Sequence, residues 1–246
     1  MTTPNEKLQE IVSALLPSRV PIRVLEAGCG STSHLRLDPS WELWGIDISQ
    51  RQLANNPQLH QKILGNLETY QWDEARFDLI VCWDVLEHLA APEKALLNLF
   101  AALAPDGLLV LAFPHLHSIK GWVTKLTPYW VHVAFYRYVI GDRRPRSELD
   151  QFPTHFRWVV QPASIAAMAR GYGLDVGYSR CYQGPVLSYM RQRHRWADII
   201  FTVIGLMGRC LTFGRFNPND TDCMMVLRKA GPSVHHPEPG VGICRT

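Results

Sequence analysis

Two runs in this chain, "LIVCW" ending at Trp83 and "GLLVLAFP" ending at Pro114, are apolar without interruption. A strand with one wet face alternates apolar and polar residues. A strand that is apolar throughout is buried on both faces, the situation of parallel strands covered by crossover helices. Other stretches fit the same plan. Ile22 to Ala27 is a short buried strand ending at Gly28, and "WELWGIDIS" gives a second ending at Asp47. "KILGNLETY" gives a weak third, Phe77 to Trp83 the fourth, and "GLLVLAFP" the fifth, after a "PDG" turn. Helical spacing appears between them. Leu8, Ile11, Val12 and Leu15 mark a helix over Asn5 to Leu16 that Pro17 stops, Ser49 caps a helix in "SQRQLANN", and another runs from Pro92 to Leu103. This alternation predicts an α/β sheet covered on both sides.

The rhythm breaks after Pro114. His115 to Phe156 is rich in aromatic residues, histidines and arginines and reads as an inserted cap. A helix from Pro162 to Tyr172 and a sixth strand in "LDVGYS" follow. A second insertion covers 183 to 220, and "DCMMVLRKA" supplies the last strand. The expected organisation is one domain over 1–230 with a disordered tail over 231–246, rich in Pro and Gly. A chain of 246 residues suffices for one domain with insertions, and a net charge of +3 does not demand nucleic acid as partner. Its six cysteines form no C-x-x-C pair, which predicts reduced thiols and a cytoplasmic setting. The start, "MTTPNEKLQE", lacks the pattern of a signal peptide. "IIFTVIGLMG", fenced by Asp198 and Arg209, is too short to span a bilayer, which leaves contact with a membrane surface open.

The stretch "VLEAGCGSTSHL" carries the chemistry. Gly28 and Gly30 fit the start of a dinucleotide turn, but Ser33 stands where its third glycine belongs, while Asp47 is placed to hold ribose hydroxyls. Glu26 separates the readings. A carboxylate at the end of the first strand would repel a pyrophosphate and attract a cation. S-adenosylmethionine has the ribose and adenine, no phosphate, and a cationic methionyl end.

The ordered stretches "VLEAGCGS", "WGIDIS", "GNLETY", "FDLIVCWDVLEHL" and "LAPDGLLVLAFP" resemble the class I S-adenosylmethionine-dependent methyltransferases, with the ubiquinone-type O-methyltransferases as the subgroup. The likeness covers about residues 20 to 115 and continues more weakly to the last strand. It implies a Rossmann-like, doubly wound, seven-stranded sheet, mostly parallel with an antiparallel last strand, plus two helical insertions. It also implies a cofactor, S-adenosylmethionine. Glu26, Gly28 and Gly30 would line its methionine and ribose side, and Asp47 would accept from both ribose hydroxyls. Ile48 would pack on the adenine, with Asn66 and Leu67 at its edge and Glu68 as the alternative to Asn66, and Trp83 and Asp84 would border the methionine end.

For the acceptor side, "DVLEH" resembles the D/E-x-x-E-H of the ubiquinone-type enzymes, where these residues are associated with a divalent metal. Asp84, Glu87 and His88 at i, i+3 and i+4 would share one side of a helix start, either for chemistry or to cap and orient it. No metal is expected. His88 and His155 are the catalytic candidates, with His115 and His117 near the acceptor pocket and Arg157 beside His155 before the next helix. The expected reaction is methylation of a hydroxyl on a small molecule, lipid or glycan precursor. The alternatives are an inactive S-adenosylmethionine-binding protein and a nucleic-acid methyltransferase. Aromatic and basic residues of the cap would suit a bulky apolar or anionic acceptor, or simply fill a small core of their own.

Overall fold

In the computed structural model, the described residues are 2–18, 20–31, 33–74, 76–119, 121 and 157–231. Most of the cap, His155, and the tail from 232 onward lie outside them.

The chain opens with helix α1 (Pro4–Leu15). A capping box starts it: the Glu6 amide donates to the Thr3 hydroxyl at 3.2 Å, and the Thr3 amide donates to the Glu6 carboxylate at 2.7 Å. Strands β1 (Arg23–Ala27) and β2 (Glu42–Asp47) follow, then helix α2 (Gln50–Asn55) and strand β3 (Gln61–Leu64). Strand β4 (Phe77–Trp83) leads through a single 3-10 turn (Leu86–His88) to helix α3 (Pro92–Ala102) and strand β5 (Leu103–Pro114). After the cap come helix α4 (Pro162–Gly171), strand β6 (Leu174–Tyr182), helices α5 (Pro185–Arg193) and α6 (Arg195–Leu211), and strand β7 (Asp222–Lys229).

The seven strands of the described residues join one sheet in the order β3-β2-β1-β4-β5-β7-β6. The first five pair parallel, while β7 runs antiparallel to both neighbours, as anticipated. The unbroken apolar runs have the predicted cause. Along β5, Leu109, Leu111 and Phe113 enter the core on one face with α3 and α4 residues such as Leu96, Phe100 and Ile165. Leu108, Val110 and Ala112 enter the core on the other face with Leu8 and Val12 of α1 and Leu53 of α2. Period-two geometry thus needs apolar residues at every position.

Some expectations need correction. The third strand stops at Leu64 because the next residues turn: the Asn66 carbonyl accepts from the amides of Thr69 (3.1 Å) and Tyr70 (2.8 Å). β6 outlasts "LDVGYS" because its ladder with β7 continues to Tyr182 opposite Asp222. The cysteines are not all reduced thiols. Cys181 and Cys223 face each other across β6 and β7, with Cα atoms 4.1 Å apart, and form a disulfide. Among the described residues Cys29, Cys82 and Cys210 are free.

Candidate functional site

The parallel strands β1, β2, β4 and β5 end along one edge of the sheet, where open α/β folds bind ligands. At the end of β1 the chain turns through Gly28 (φ +71°) and Gly30 (φ +51°). Both lie in the left-handed region that glycine enters without strain. A side chain at Gly28 would also run into Val85, so the backbone passes closer to the β4 loop than any other residue permits. Amides of Gly28 (2.8 Å) and Cys29 (3.3 Å) both donate to the Ile46 carbonyl, which ties the turn to β2.

Asp47 ends β2, buried, and its carboxylate is aimed by backbone. Gly30 N–H donates to Oδ2 at 3.0 Å and Ser49 N–H to Oδ1 at 2.8 Å. Each oxygen keeps a further lone pair, the requirement for accepting from a diol. Next to it Ile48 is 61% exposed, although its neighbours along β2 are buried, so an apolar surface stands open beside the Asp47 carboxylate.

Glu26 is the residue whose state most limits what can bind. It is only 4% exposed, and its Oε2 atom is buried with no hydrogen-bond partner. Burial raises its carboxyl above the ordinary value, with the Ser33 hydroxyl pulling the other way. The neighbouring Cys29 thiol is pushed up to about 12 by burial and by the charges of Asp47 and Glu26. Both acids therefore impose a negative potential on the turn. An unsatisfied buried carboxylate oxygen there fits an ammonium group and opposes a phosphate.

Further along the edge, Asn66 accepts from the Glu68 amide at 2.8 Å, and Glu68 accepts from the Ala91 amide. Leu67 is in the core, and its carbonyl accepts from Asn98 at 2.8 Å. Trp83 stacks on His34 with centroids 4.9 Å apart and planes 6° from parallel. Sequence reasoning gave His34 no role; its place four residues beyond Gly30 was the available signal.

The "DVLEH" residues do not share one helix face. Asp84 sits at φ +52° before the 3-10 turn, exposed, with its amide donating to the Ala112 carbonyl at 2.9 Å. Glu87 is buried, and its Oε1 lies 3.8 Å from His88 Nε2. The short turn and the left-handed residue break the i, i+3, i+4 alignment that a continuous helix would give. Among the described residues, a ring nitrogen of His115 lies within 4.8 Å of both sulfurs of the Cys181–Cys223 disulfide.

His115 stands at the end of β5, buried. Its amide donates to the Thr221 carbonyl at 2.9 Å, and its Nδ1 lies 3.0 Å from the Asp220 carbonyl oxygen. A carbonyl only accepts, so Nδ1 carries the proton and the neutral ring presents a bare Nε2. Burial, the largest cause, lowers the His115 pKa against the raising effect of that hydrogen bond. The ring packs edge-on to Phe216 (5.6 Å) and His117 (6.1 Å), and His117 in turn meets Trp158 (5.4 Å). Burial, and after it the charges of Asp222 and Asp84, raise the Tyr182 hydroxyl above its ordinary value.

A methyltransferase-domain family model matches residues 3–179. The mitochondrial ubiquinone biosynthesis O-methyltransferase of Saccharomyces cerevisiae is 29% identical over 134 residues, 50% of this chain and 43% of that protein. Its Schizosaccharomyces pombe counterpart is 27% identical over 158 residues, 56% of this chain and 55% of that protein, so the chain spans about half the length of these relatives. Among solved structures, a Mesorhizobium loti S-adenosylmethionine-dependent methyltransferase superposes with TM-score 0.53 at 13% identity, covering 89% of this chain and 96% of that one. A Haemonchus contortus phosphoethanolamine N-methyltransferase, solved with S-adenosyl-L-methionine, gives 0.54 at 14% identity, covering 92% and 53%. The acid before the glycine turn, the carboxylate at the end of β2 and the 3-2-1-4-5-7-6 sheet belong together: the chain is a member of the methyltransferase-domain family, a class I S-adenosylmethionine-dependent methyltransferase.

Proposed function

We propose that the protein, as one domain over 1–230, methylates a hydroxyl of a small, largely apolar acceptor, with His115 as the general base. The supporting observation is the His115 ring, held by the Asp220 carbonyl in the tautomer that leaves Nε2 able to take a proton. Similarity to the ubiquinone O-methyltransferases favours an oxygen acceptor.

In this reading S-adenosylmethionine, when bound, supplies the electrophilic methyl group. Glu26 receives the ammonium at its unpartnered Oε2. Asp47, already aimed by the Gly30 and Ser49 amides, accepts from the ribose hydroxyls. Ile48 covers one adenine face, while Asn66 and the Leu67 backbone meet its edge. Trp83, braced by His34, and Asp84 border the methionyl end. His115 Nε2 removes the acceptor proton, and the Asp220 carbonyl holds the resulting imidazolium through Nδ1–H. His88 beside Glu87 is the second candidate, placed to orient the acceptor. His155, outside the described residues, is the third.

His115→Gln separates these roles. S-adenosylmethionine affinity is expected to stay within about twofold, with methyl transfer falling about 100-fold or more, the range for losing a general base. Full activity in that variant would pass the assignment to His88 or His155.

A further inference from the structure

Helix α6 faces the wrong way for a helix whose apolar side serves the core. Trp196, Ile199, Ile200, Val203, Leu206, Met207 and Leu211 recur every three or four residues and are all 47% to 77% exposed. Phe213, just past the helix end, is 92% exposed. The inward side carries the half-buried Phe201 and Ile204 together with small residues: Ala197 is buried, Gly205 lies against Asn219 and Gly208 against Pro218. The Asn219 side chain ties the inner face down by donating to the Phe201 carbonyl at 2.6 Å. The large apolar stripe is therefore surplus to folding and too contiguous for scattered surface exposure.

The charges beside the stripe select its occupant. Between 185 and 216 the chain holds five arginines, Arg191, Arg193, Arg195, Arg209 and Arg215, against one acid, Asp198. Asp198 is already paired with Arg191 at 2.7 Å. Two copies packed through this face would bring like charges together. Residues 122–156 carry five basic and three acidic residues and are of the same sign. An anionic phospholipid surface takes both parts of the pattern, apolar side chains entering the acyl boundary and arginines reaching the headgroups. At 17 residues α6 is too short to cross a bilayer, and no described helix is long and apolar enough to do so.

The place of α6 in the fold links this face to the acceptor. It joins the end of β6 to the start of β7, at the sheet edge where Asp222 pairs with Pro114. From its end the chain passes through Phe216 and Asp220, which hold the His115 ring. We propose that the outward face of α6 docks the enzyme on an anionic phospholipid surface and that its acceptor is a hydroxyl compound dissolved in that surface; the second half rests on the reading of the His115 site above.

The test is co-sedimentation of the full chain with phosphatidylcholine vesicles, with and without about one-third phosphatidylglycerol. Wild-type protein is expected to partition onto the anionic vesicles, less so at high salt. Ile199→Ser with Leu206→Ser should weaken that partition about tenfold or more, because an interfacial helix binds through its buried apolar area. Arg193→Gln with Arg195→Gln should remove the preference for anionic lipid. All variants should titrate S-adenosylmethionine like wild type, which separates failure of docking from failure of the cofactor reading. Equal partition of wild type and the Ile199/Leu206 variant would overturn the proposal. So would a concentration-dependent dimer that this variant splits while vesicles bind nothing, since a second copy would then own the face. Docking that holds while His115→Gln stays active would leave the surface standing and overturn only the acceptor route.

Discussion

Glu26→Gln should make the ligand-free protein more stable and the cofactor weaker, two effects of opposite sign from one atom. The carboxylate is 4% exposed with Oε2 unpartnered, so the ligand-free fold bears the cost of a poorly solvated charge. A neutral amide of the same shape relieves about 1 to 3 kcal/mol, the scale of desolvating one such group. For a chain of this size that is a rise in Tm of roughly 2–10 °C. Binding should move the other way. A charge-assisted hydrogen bond to an ammonium contributes about 1.5 to 3 kcal/mol, so Kd for S-adenosylmethionine should rise roughly 10- to 150-fold. 5′-Methylthioadenosine lacks the ammonium and should bind both forms alike. The pH dependence has a definite sign. The folded pKa of Glu26 is raised, so between the unfolded value and the folded one the native state holds more protons, and stability falls as pH rises through that window. The slope should vanish in Glu26→Gln. Thermal unfolding across pH 4 to 8, with calorimetry of both ligands, reads every part of this. A variant that is less stable, or that binds S-adenosylmethionine unchanged, would refute the reasoning.

Asp47→Ala removes the acceptor for the Gly30 and Ser49 amides as well as the ribose contact, so calorimetry should show Kd raised about 100-fold or more. Gly28→Ala forces a side chain into Val85 at φ +71°, and thermal melts should show a loss of about 2 kcal/mol or more together with lost cofactor binding. His115 has a lowered folded pKa, so wild-type methyl transfer should be flat above the ordinary imidazole range and fall only below it. Any stability linked to this group is lost as pH falls from the unfolded value through the folded one, and a pH series on His115→Gln should lack that component.

The parts of the fold that local pattern encodes were legible in the residues. Runs such as "LIVCW" announce a strand buried on both faces, and the glycine turn between the first and second strands marks the sheet edge where the parallel strands end. Long-range partnerships are absent from such patterns. Cys181 and Cys223 are 42 residues apart and meet only because β7 inserts between β5 and β6. His115 meets a carbonyl 105 residues away that fixes its tautomer, a partnership no local spacing reports. Asp84 shows the other limit. Its left-handed backbone breaks the helical register that its spacing from Glu87 and His88 suggests. The outward stripe of α6 was visible as an apolar run, but which side met the protein depended on Asn219 and Pro218 packing against its glycines.

Parallel calorimetric titration of the protein with S-adenosylmethionine and with NAD tests the central claim, that Glu26 and Asp47 shape a site for a cationic nucleoside. Micromolar binding of S-adenosylmethionine and no heat from NAD are expected. Comparable binding of NAD would mean that a pyrophosphate is tolerated beside Glu26, and the electrostatic argument for this turn would be wrong.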